Sequence, residues 1–137
     1  VAGKDYYAML LCCRNSSNTA QNILSNGKCS INFIPDDRKY FKEAVRMGFP
    51  GDTPEEKMKD CLFTLEEGLM SKEKPSEKFP QVVGESFQVM ECTWMSQLDN
   101  AENDAPGELD GYPPPYHDFN GITSEFGAHF ILRVDKI

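Results

Sequence analysis

Two short apolar runs, separated by a polar turn and a helical pattern, constrain the fold of this chain most. The first run is Ala8 to Cys13 and the second is Cys29 to Ile34. Apolar runs of about four to eight residues bounded by polar turns are typical of strands. Between them, Ile23 and Leu24 supply the apolar face of a short helix. The pattern predicts strand, turn, helix, strand.

The polar turn after the first run has the composition of an anion-binding site. Asn18 followed by Gln21 is a variant of the capping box, which predicts a helix from about Thr19. The unpaired N–H groups and the dipole at a helix start suit a phosphate or carboxylate, and Arg14 adds a cationic fork. The turn also offers the hydroxyl groups of Ser16, Ser17 and Thr19. Residues of these types are also ordinary caps and turn formers, so both interpretations stay open.

A family resemblance rests on this segment. Arg14-Asn15-Ser16-Ser17-Asn18-Thr19-Ala20-Gln21-Asn22-Ile23, then Gly27, then Cys29 to Phe33, resembles the flavin reductase-like, FMN-binding split-barrel family. Three later segments are similar to that family as well: Lys57 to Gly68, Glu85 to Trp94 and Gly127 to Val134. The resemblance implies a mostly β fold, a split β-barrel with a few short helices.

The resemblance also implies a function and a set of residues. It implies a homodimer that binds FMN at the subunit interface and transfers hydride from NADH or NADPH to the flavin. The residues that the resemblance implies for binding the phosphate end of FMN are Arg14, Asn15, Ser16, Ser17, Asn18 and Thr19. The strand from Cys29 to Asn32 is implied to lie beside the isoalloxazine ring, with Asn32 offering its amide.

His129 is the catalytic candidate that the resemblance implies, because it matches a histidine in the family's last strand. The alternative is a strand histidine with one ordinary hydrogen bond, since most histidines are not catalytic. Ala128 stands where the family often has Asp, and Leu132 stands where it often has Gly. The match of this last strand is therefore partial.

Length and charge limit the remaining possibilities. The 137 residues fit a single domain, residues 1–137, with enough chain to bury a core. The formal net charge is −8. This charge argues against broad nucleic-acid binding, which draws its affinity from cationic contacts to phosphates. A bound phosphate must therefore be held by a local site.

The cysteines favour a reducing compartment. The chain has five cysteines, including the adjacent pair Cys12 and Cys13, and only two histidines, His117 and His129. No spacing typical of a zinc site is present, so free thiols in a cytoplasmic protein and no metal are expected. No apolar run approaches the roughly 20 residues of a membrane span, and no signal peptide is evident.

The remaining pattern predicts further elements. We expect a helix from about Arg38 to Met47 with Tyr40 and Phe41 in the core, and a second from the capping box at Thr53 to about Cys61. The other expected elements are a short strand Phe63 to Leu65, a charged loop Ser71 to Lys78, a strand Glu85 to Met95 bulged near Val89, and a closing strand Ala128 to Val134. Because the family has a strand or hairpin ahead of residue 1, we expect that segment to be missing and the sheet edge to need a partner chain.

A long irregular stretch, Asp99 to Glu125, offers an alternative function. Pro113-Pro114-Pro115-Tyr116 matches the ligand of WW domains, although the same prolines suit a rigid loop over a nearby site. Three hypotheses follow from the sequence: an FMN-dependent NAD(P)H oxidoreductase, an FMN-binding electron-transfer protein without its own NAD(P)H activity, and an interaction module that uses the Pro113 to Tyr116 loop.

Overall fold

A computed structural model describes residues 6–49, 51–96 and 120–137. The strands are β1 (Tyr7–Arg14), β2 (Lys28–Phe33), β3 (Leu65–Glu66), β4 (Val82–Val83), β5 (Gln88–Trp94), β6 (Gly121–Ile122) and β7 (Gly127–Lys136). The helices are α1 (Asn18–Asn26), α2 (Arg38–Gly48), α3 (Pro54–Met58) and α4 (Leu69–Glu73), with a 3₁₀ turn at Pro75–Glu77.

One curled antiparallel sheet dominates the fold. Its strand order is β1-β7-β5-β2, and the short β6 also pairs with β7. The sheet curls into a half barrel, while β3 and β4 form a separate two-stranded sheet. The coarse prediction of a sheet-rich chain with a few short helices is confirmed. The strand expected to close the sheet, β7, instead lies inside it, between β1 and β5.

The core lies between α1 and one face of the sheet. Its fully buried members are Ala20 and Ile23 of α1, Cys92 of β5, and Ala128, Phe130 and Leu132 of β7. The Trp94 ring meets the Phe130 ring edge to face, with centroids 5.3 Å apart and planes at 89°. This geometry is the preferred one for aromatic pairs, and it joins β5 to β7.

The opposite face of the sheet carries a buried carboxylate that fixes α4. Glu91 of β5 is buried, and its Oε2 accepts a hydrogen bond from the Met70 N–H at 2.6 Å. The Met70 N–H belongs to the first turn of α4, which lacks a side-chain cap of its own. The carboxylate therefore satisfies a donor that the helix cannot satisfy and complements the helix dipole.

Several local predictions are corrected by the structure. Helix α1 begins at Asn18, and Ser17 rather than Asn18 is its N-cap, because the Ser17 hydroxyl accepts the Ala20 N–H at 3.1 Å. The segment Ser71 to Lys78, expected to be a loop, carries the end of α4 and the 3₁₀ turn. The bulge expected near Val89 lies between Glu91 and Cys92, where β5 pairs with β7.

Helix α2 buries a different face from the one that the sequence predicts. Phe41, expected in the core, is 68% exposed, whereas Tyr40 is half-buried and stacks on Phe63 at 5.7 Å. The reason is that α2 turns a charged residue inward: Glu43 is buried and accepts hydrogen bonds from Arg46 Nε and from the Leu62 N–H. Two charge-assisted bonds thus fix an orientation that apolar spacing alone does not predict.

The Pro113 to Tyr116 motif and the segment before residue 6 lie outside the described residues, and so does most of the Asp99 to Glu125 stretch. The WW-ligand hypothesis and the expected missing N-terminal strand therefore stay predictions.

We expect Gly68→Ala to destabilise the protein by about 1–3 kcal/mol, the cost of disturbing a buried hydrogen-bonded carboxylate. A Cβ at residue 68 would overlap Glu91 Oε1 and lie 3.0 Å from Val82 Cγ1. The Glu91 side chain would then have to leave the Met70 N–H. Gly48→Ala at the end of α2 is the control, since a Cβ there meets nothing within 4 Å. Urea denaturation of both variants measures the difference, and equal stabilities would contradict the assigned role of Glu91.

Candidate functional site

The turn between β1 and α1 is held by bonds from two of the predicted site residues. The Asn15 Nδ2 donates to Glu125 O at 2.8 Å, and its backbone N–H donates to Phe126 O at 2.9 Å. The Ser17 hydroxyl donates to Arg14 O at 2.7 Å while it caps α1. Asn15 and Ser17 therefore shape the turn, and their side chains are already engaged within the protein.

The other four predicted phosphate residues have their polar side-chain groups available. Within the described parts of the chain, no hydrogen bond or ion pair engages the side chains of Arg14, Ser16, Asn18 and Thr19. All four are exposed, and three of them belong to the cap and first turn region of α1. A cation, hydroxyls and an amide thus surround the start of α1, and unpaired N–H groups at a helix start suit an anion.

These residues form one wall of an open cleft of about 540 Å³. This volume is within the range of roughly 300–1,000 Å³ for small-molecule sites. The wall from the β1–α1 turn consists of Arg14, Ser16, Ser17, Asn18 and Thr19. The opposite wall consists of Met47, Gly48, Phe49, Gly51, Asp52, Thr53 and Lys57. It comes from the end of α2 and the start of α3.

Hydrogen bonds from charged side chains hold the opposite wall of the cleft in place. Lys57 is buried and donates from Nζ to Met47 O at 3.0 Å, at the last turn of α2. Arg46 donates from its guanidinium to Lys57 O at 3.0 Å. The hydrogen bond from Arg46, followed by the bond from the Leu62 N–H, lowers the pKa of Glu43. These bonds give the cleft a fixed wall. In the sequence, the capping box at Thr53 predicted the helix α3 that contributes to this wall, and the structure confirms that capping box.

The predicted ring-side residues lie away from this cleft and on different faces of the sheet. Cys29 packs against the core, beside Cys92. Asn32 points to the other face, where its Oδ1 accepts the Val83 N–H at 2.9 Å and its Nδ2 donates to Ser30 Oγ at 3.1 Å. The structure therefore brings together the predicted phosphate residues but does not bring Cys29 and Asn32 to them.

Cys29 and Cys92 form a thiol pair across β2 and β5, where they are directly opposite in register. The neighbouring Cys92 thiol lowers the pKa of Cys29. The neighbouring Cys29 thiol, together with burial, raises the pKa of Cys92. A raised pKa keeps Cys92 protonated, as expected for a buried core thiol.

His129 lies on the face of β7 that points away from the core and is half-buried. Its Nδ1 is 2.6 Å from Thr123 Oγ1. In the register of β1 and β7 it is opposite Cys12, and Arg14 is opposite Gly127, two residues before it. His129 thus shares a face and an end of the sheet with Arg14, the first residue of the phosphate turn. Cys12 was not among the residues that the sequence singled out for the site.

Membrane-spanning helices and metal clusters are both absent from the described residues. No helix there is long and apolar enough to cross a lipid bilayer. No group of three or more His, Cys, Asp or Glu side chains in those ranges is placed to hold a metal ion.

Comparisons of the chain with protein-family models, with curated proteins and with solved structures found no match.

We expect Ser17→Ala to lower the stability by about 0.5–2 kcal/mol, because the N-cap of α1 is lost. Ser16→Ala is the matched control, since the Ser16 hydroxyl is exposed and bonds to no other described residue. Thermal denaturation at one pH separates the two variants. If both variants lose the same stability, or neither does, the division of these serines into a structural and an available one is wrong.

We expect Glu43→Gln to change the acid stability profile. Because the folded pKa of Glu43 lies below its ordinary value of 4.5, its stabilising contribution is present above that value. The contribution is lost as the pH falls through the folded pKa. The stability gap between wild type and Glu43→Gln is therefore widest at neutral pH and narrows as the pH falls below 4.5.

Denaturant titrations at several pH values measure this gap. Glu67→Gln serves as the control, since Glu67 is exposed and its side chain bonds to no described residue. A gap between wild type and Glu43→Gln that stays constant from neutral to acid pH would contradict the assigned ion pair.

Proposed function

We propose that this chain is an FMN-binding flavoprotein of the flavin reductase-like type, with the FMN phosphate held at the start of α1. The observation that carries the proposal is the group of unengaged polar side chains at that start. Arg14, Ser16, Asn18 and Thr19 face an open cleft of about 540 Å³. The same residues belong to the segment that resembles the flavin reductase-like family.

The residues present fit the phosphate end of FMN. Arg14 offers a bidentate guanidinium, Ser16 and Thr19 offer hydroxyls, and the first N–H groups of α1 add dipolar attraction. Asn15 and Ser17 act indirectly, because they hold the turn in the shape that presents the other side chains. The overall charge of −8 would repel a phosphate, so a local cluster of donors is what such a ligand needs.

The residues implied for the isoalloxazine end fit less well. The amide of Asn32 already bonds to Val83 through Oδ1 and to Ser30 through Nδ2, and Cys29 packs into the core. The ring contacts of these two residues therefore rest on the resemblance alone. Phe126 offers a different neighbour for a ring, because it is 64% exposed and its carbonyl is bonded by the turn residue Asn15.

The proposed activity is NAD(P)H oxidoreductase. Bound FMN would take up a hydride from NADH or NADPH together with one proton, which leaves NAD(P)⁺ and reduced flavin. The chain's own share is to hold the phosphate and to orient the nucleotide, with His129 as the catalytic residue that the resemblance implies. A cytoplasmic homodimer with FMN at the subunit interface is part of the proposal, as the resemblance implies.

A second candidate is an FMN-binding electron-transfer protein without its own NAD(P)H activity. The engaged amide of Asn32 favours it, and so do Ala128 and Leu132, where the family often has Asp and Gly. An anaerobic addition of NADH to the flavin-loaded protein distinguishes the two candidates: rapid bleaching of the flavin spectrum supports the reductase, and an unchanged spectrum supports the electron-transfer protein.

We expect Arg14→Ala to weaken FMN binding by about 1.5–3 kcal/mol, or roughly 10- to 150-fold, the scale of a charged hydrogen bond. Titration followed by flavin absorbance measures the affinity. Riboflavin, which lacks the phosphate, is the matched ligand, and its binding should be the same in wild type and Arg14→Ala.

Arg38→Ala is the matched protein control, since Arg38 is exposed at the start of α2 and does not line the cleft. If the full-length protein takes up no FMN, the flavoprotein proposal is wrong. If FMN binds and Arg14→Ala binds it equally well, the assigned phosphate position is wrong.

A further inference from the structure

We propose that a second cleft, on the face of the sheet that carries Glu91, binds a small primary amine with an apolar body, and that Glu91 holds its ammonium group. This amine cleft has a volume of about 340 Å³, at the lower end of the range for small-molecule sites. It lies between the β3–β4 pair, the start of α4 and strands β5 and β7. It shares no lining residue with the cleft at the start of α1, so the proposal does not depend on FMN.

Glu91 has one carboxylate oxygen engaged and the other open. Oε2 accepts the Met70 N–H at 2.6 Å, whereas no hydrogen bond or ion pair from the described residues reaches Oε1. Glu91 is only 3% exposed and lines the amine cleft. In the described part of the chain, Ser86 Oγ is the side-chain polar atom that is both fully buried and without a partner, so Glu91 Oε1 is not sealed inside the protein. A carboxylate oxygen that opens into a cleft in this way suits a ligand with an N–H donor.

Gly68 makes room for this oxygen. A Cβ at residue 68 would overlap Glu91 Oε1 and lie 3.0 Å from Val82 Cγ1. The φ angle of Gly68 is −79°, which any residue can adopt, so glycine is required here for space and not for conformation. The Gly68 backbone and the bond from Met70 together hold the carboxylate in one position. A ligand therefore meets an acceptor that is already in place, which favours binding.

The charges around the amine cleft favour a cation over an anion. Five charged side chains line it, three acidic and two basic: Glu66, Glu67, Glu91, Lys72 and Lys136. The Lys136 charge is compensated by Glu73, whose Oε1 lies 2.7 Å from its Nζ. Glu66 and Glu67 are exposed and form no ion pair with any described residue. Carboxylates thus outnumber uncompensated cations, and the local field attracts a positive charge.

The remaining lining suits an apolar body attached to that charge. Leu69 and Phe87 line the amine cleft and are 51% and 71% exposed, and Val82 is buried beside them. The Phe87 ring packs near the Phe33 ring, with centroids 6.3 Å apart, which restrains it. A ligand that covers Leu69 and Phe87 removes their apolar surface from water. An aryl group on a short chain that ends in an ammonium group therefore matches both the apolar surface and Glu91.

Isothermal titration of the full-length protein at neutral pH tests the proposal with two probes of the same shape. Phenethylamine is the cationic probe and phenethyl alcohol is the neutral one. We expect the amine to bind at least about tenfold more tightly than the alcohol, because only the amine forms a charge-assisted hydrogen bond with Glu91. Equal affinities for the two probes, or no binding of the amine at millimolar concentrations, would overturn the proposal.

Glu91→Gln tests the assigned acceptor. The glutamine carbonyl can still accept the Met70 N–H, which puts its NH₂ group where Oε1 stands. A donor at that position opposes an ammonium group, so we expect phenethylamine to bind at least about tenfold more weakly, with the alcohol affected much less. If Glu91→Gln folds and binds the amine as tightly as wild type does, the assignment of Glu91 is wrong.

Phe87→Ala tests the apolar side of the amine cleft and does not touch the buried carboxylate. It should weaken the binding of both probes, because it removes apolar surface that both of them cover. Phe41→Ala is the matched control, since Phe41 is 68% exposed and does not line the amine cleft, and it should bind both probes like wild type. If phenethylamine binds equally well to Phe87→Ala and to Phe41→Ala, the amine is bound elsewhere and the proposal is wrong, whether or not Glu91→Gln folds.

Discussion

The eight-residue antiparallel pairing of β1 with β7 is the interaction on which the rest of the structure depends. It runs from Tyr7 opposite Val134 to Arg14 opposite Gly127. One face of the pair carries Leu11, Cys13, Phe130 and Leu132 into the core under α1. A slip of one residue would exchange the two faces and expose the core side chains of β1, so burial holds the register firmly.

This register also determines where the chemically useful residues lie. Because Arg14 ends β1 opposite Gly127, the turn to α1 begins beside the β6–β7 connection, where Asn15 bonds to the carbonyls of Glu125 and Phe126. The same register sets Cys12 against His129 on the outer face. The core packing and the position of the phosphate turn are therefore consequences of one strand pairing. A change that weakens the burial of Phe130 should therefore also disturb this turn.

The sequence predicted the local elements around this pairing well, because their signals are local. The apolar runs of β1 and β2, the polar turn and the capping box at Thr53 each depend on residues a few positions apart. What the sequence did not predict depends on contacts between distant residues. The inward turn of Glu43 needs the Leu62 N–H, the start of α4 needs Glu91 from another strand, and the opposite wall of the cleft needs Lys57 bonded to Met47.

The candidate site shows the same contrast between local sequence signals and contacts that only the fold creates. The resemblance implied that six consecutive residues hold a phosphate, but neither it nor the side-chain types reveal which groups the fold has already engaged. The structure leaves Arg14, Ser16, Asn18 and Thr19 available and commits Asn15 and Ser17 to the turn. Arg14 combines both kinds of information: its residue type is readable from the sequence, but the register that ends β1 opposite Gly127 is what places its side chain at the cleft.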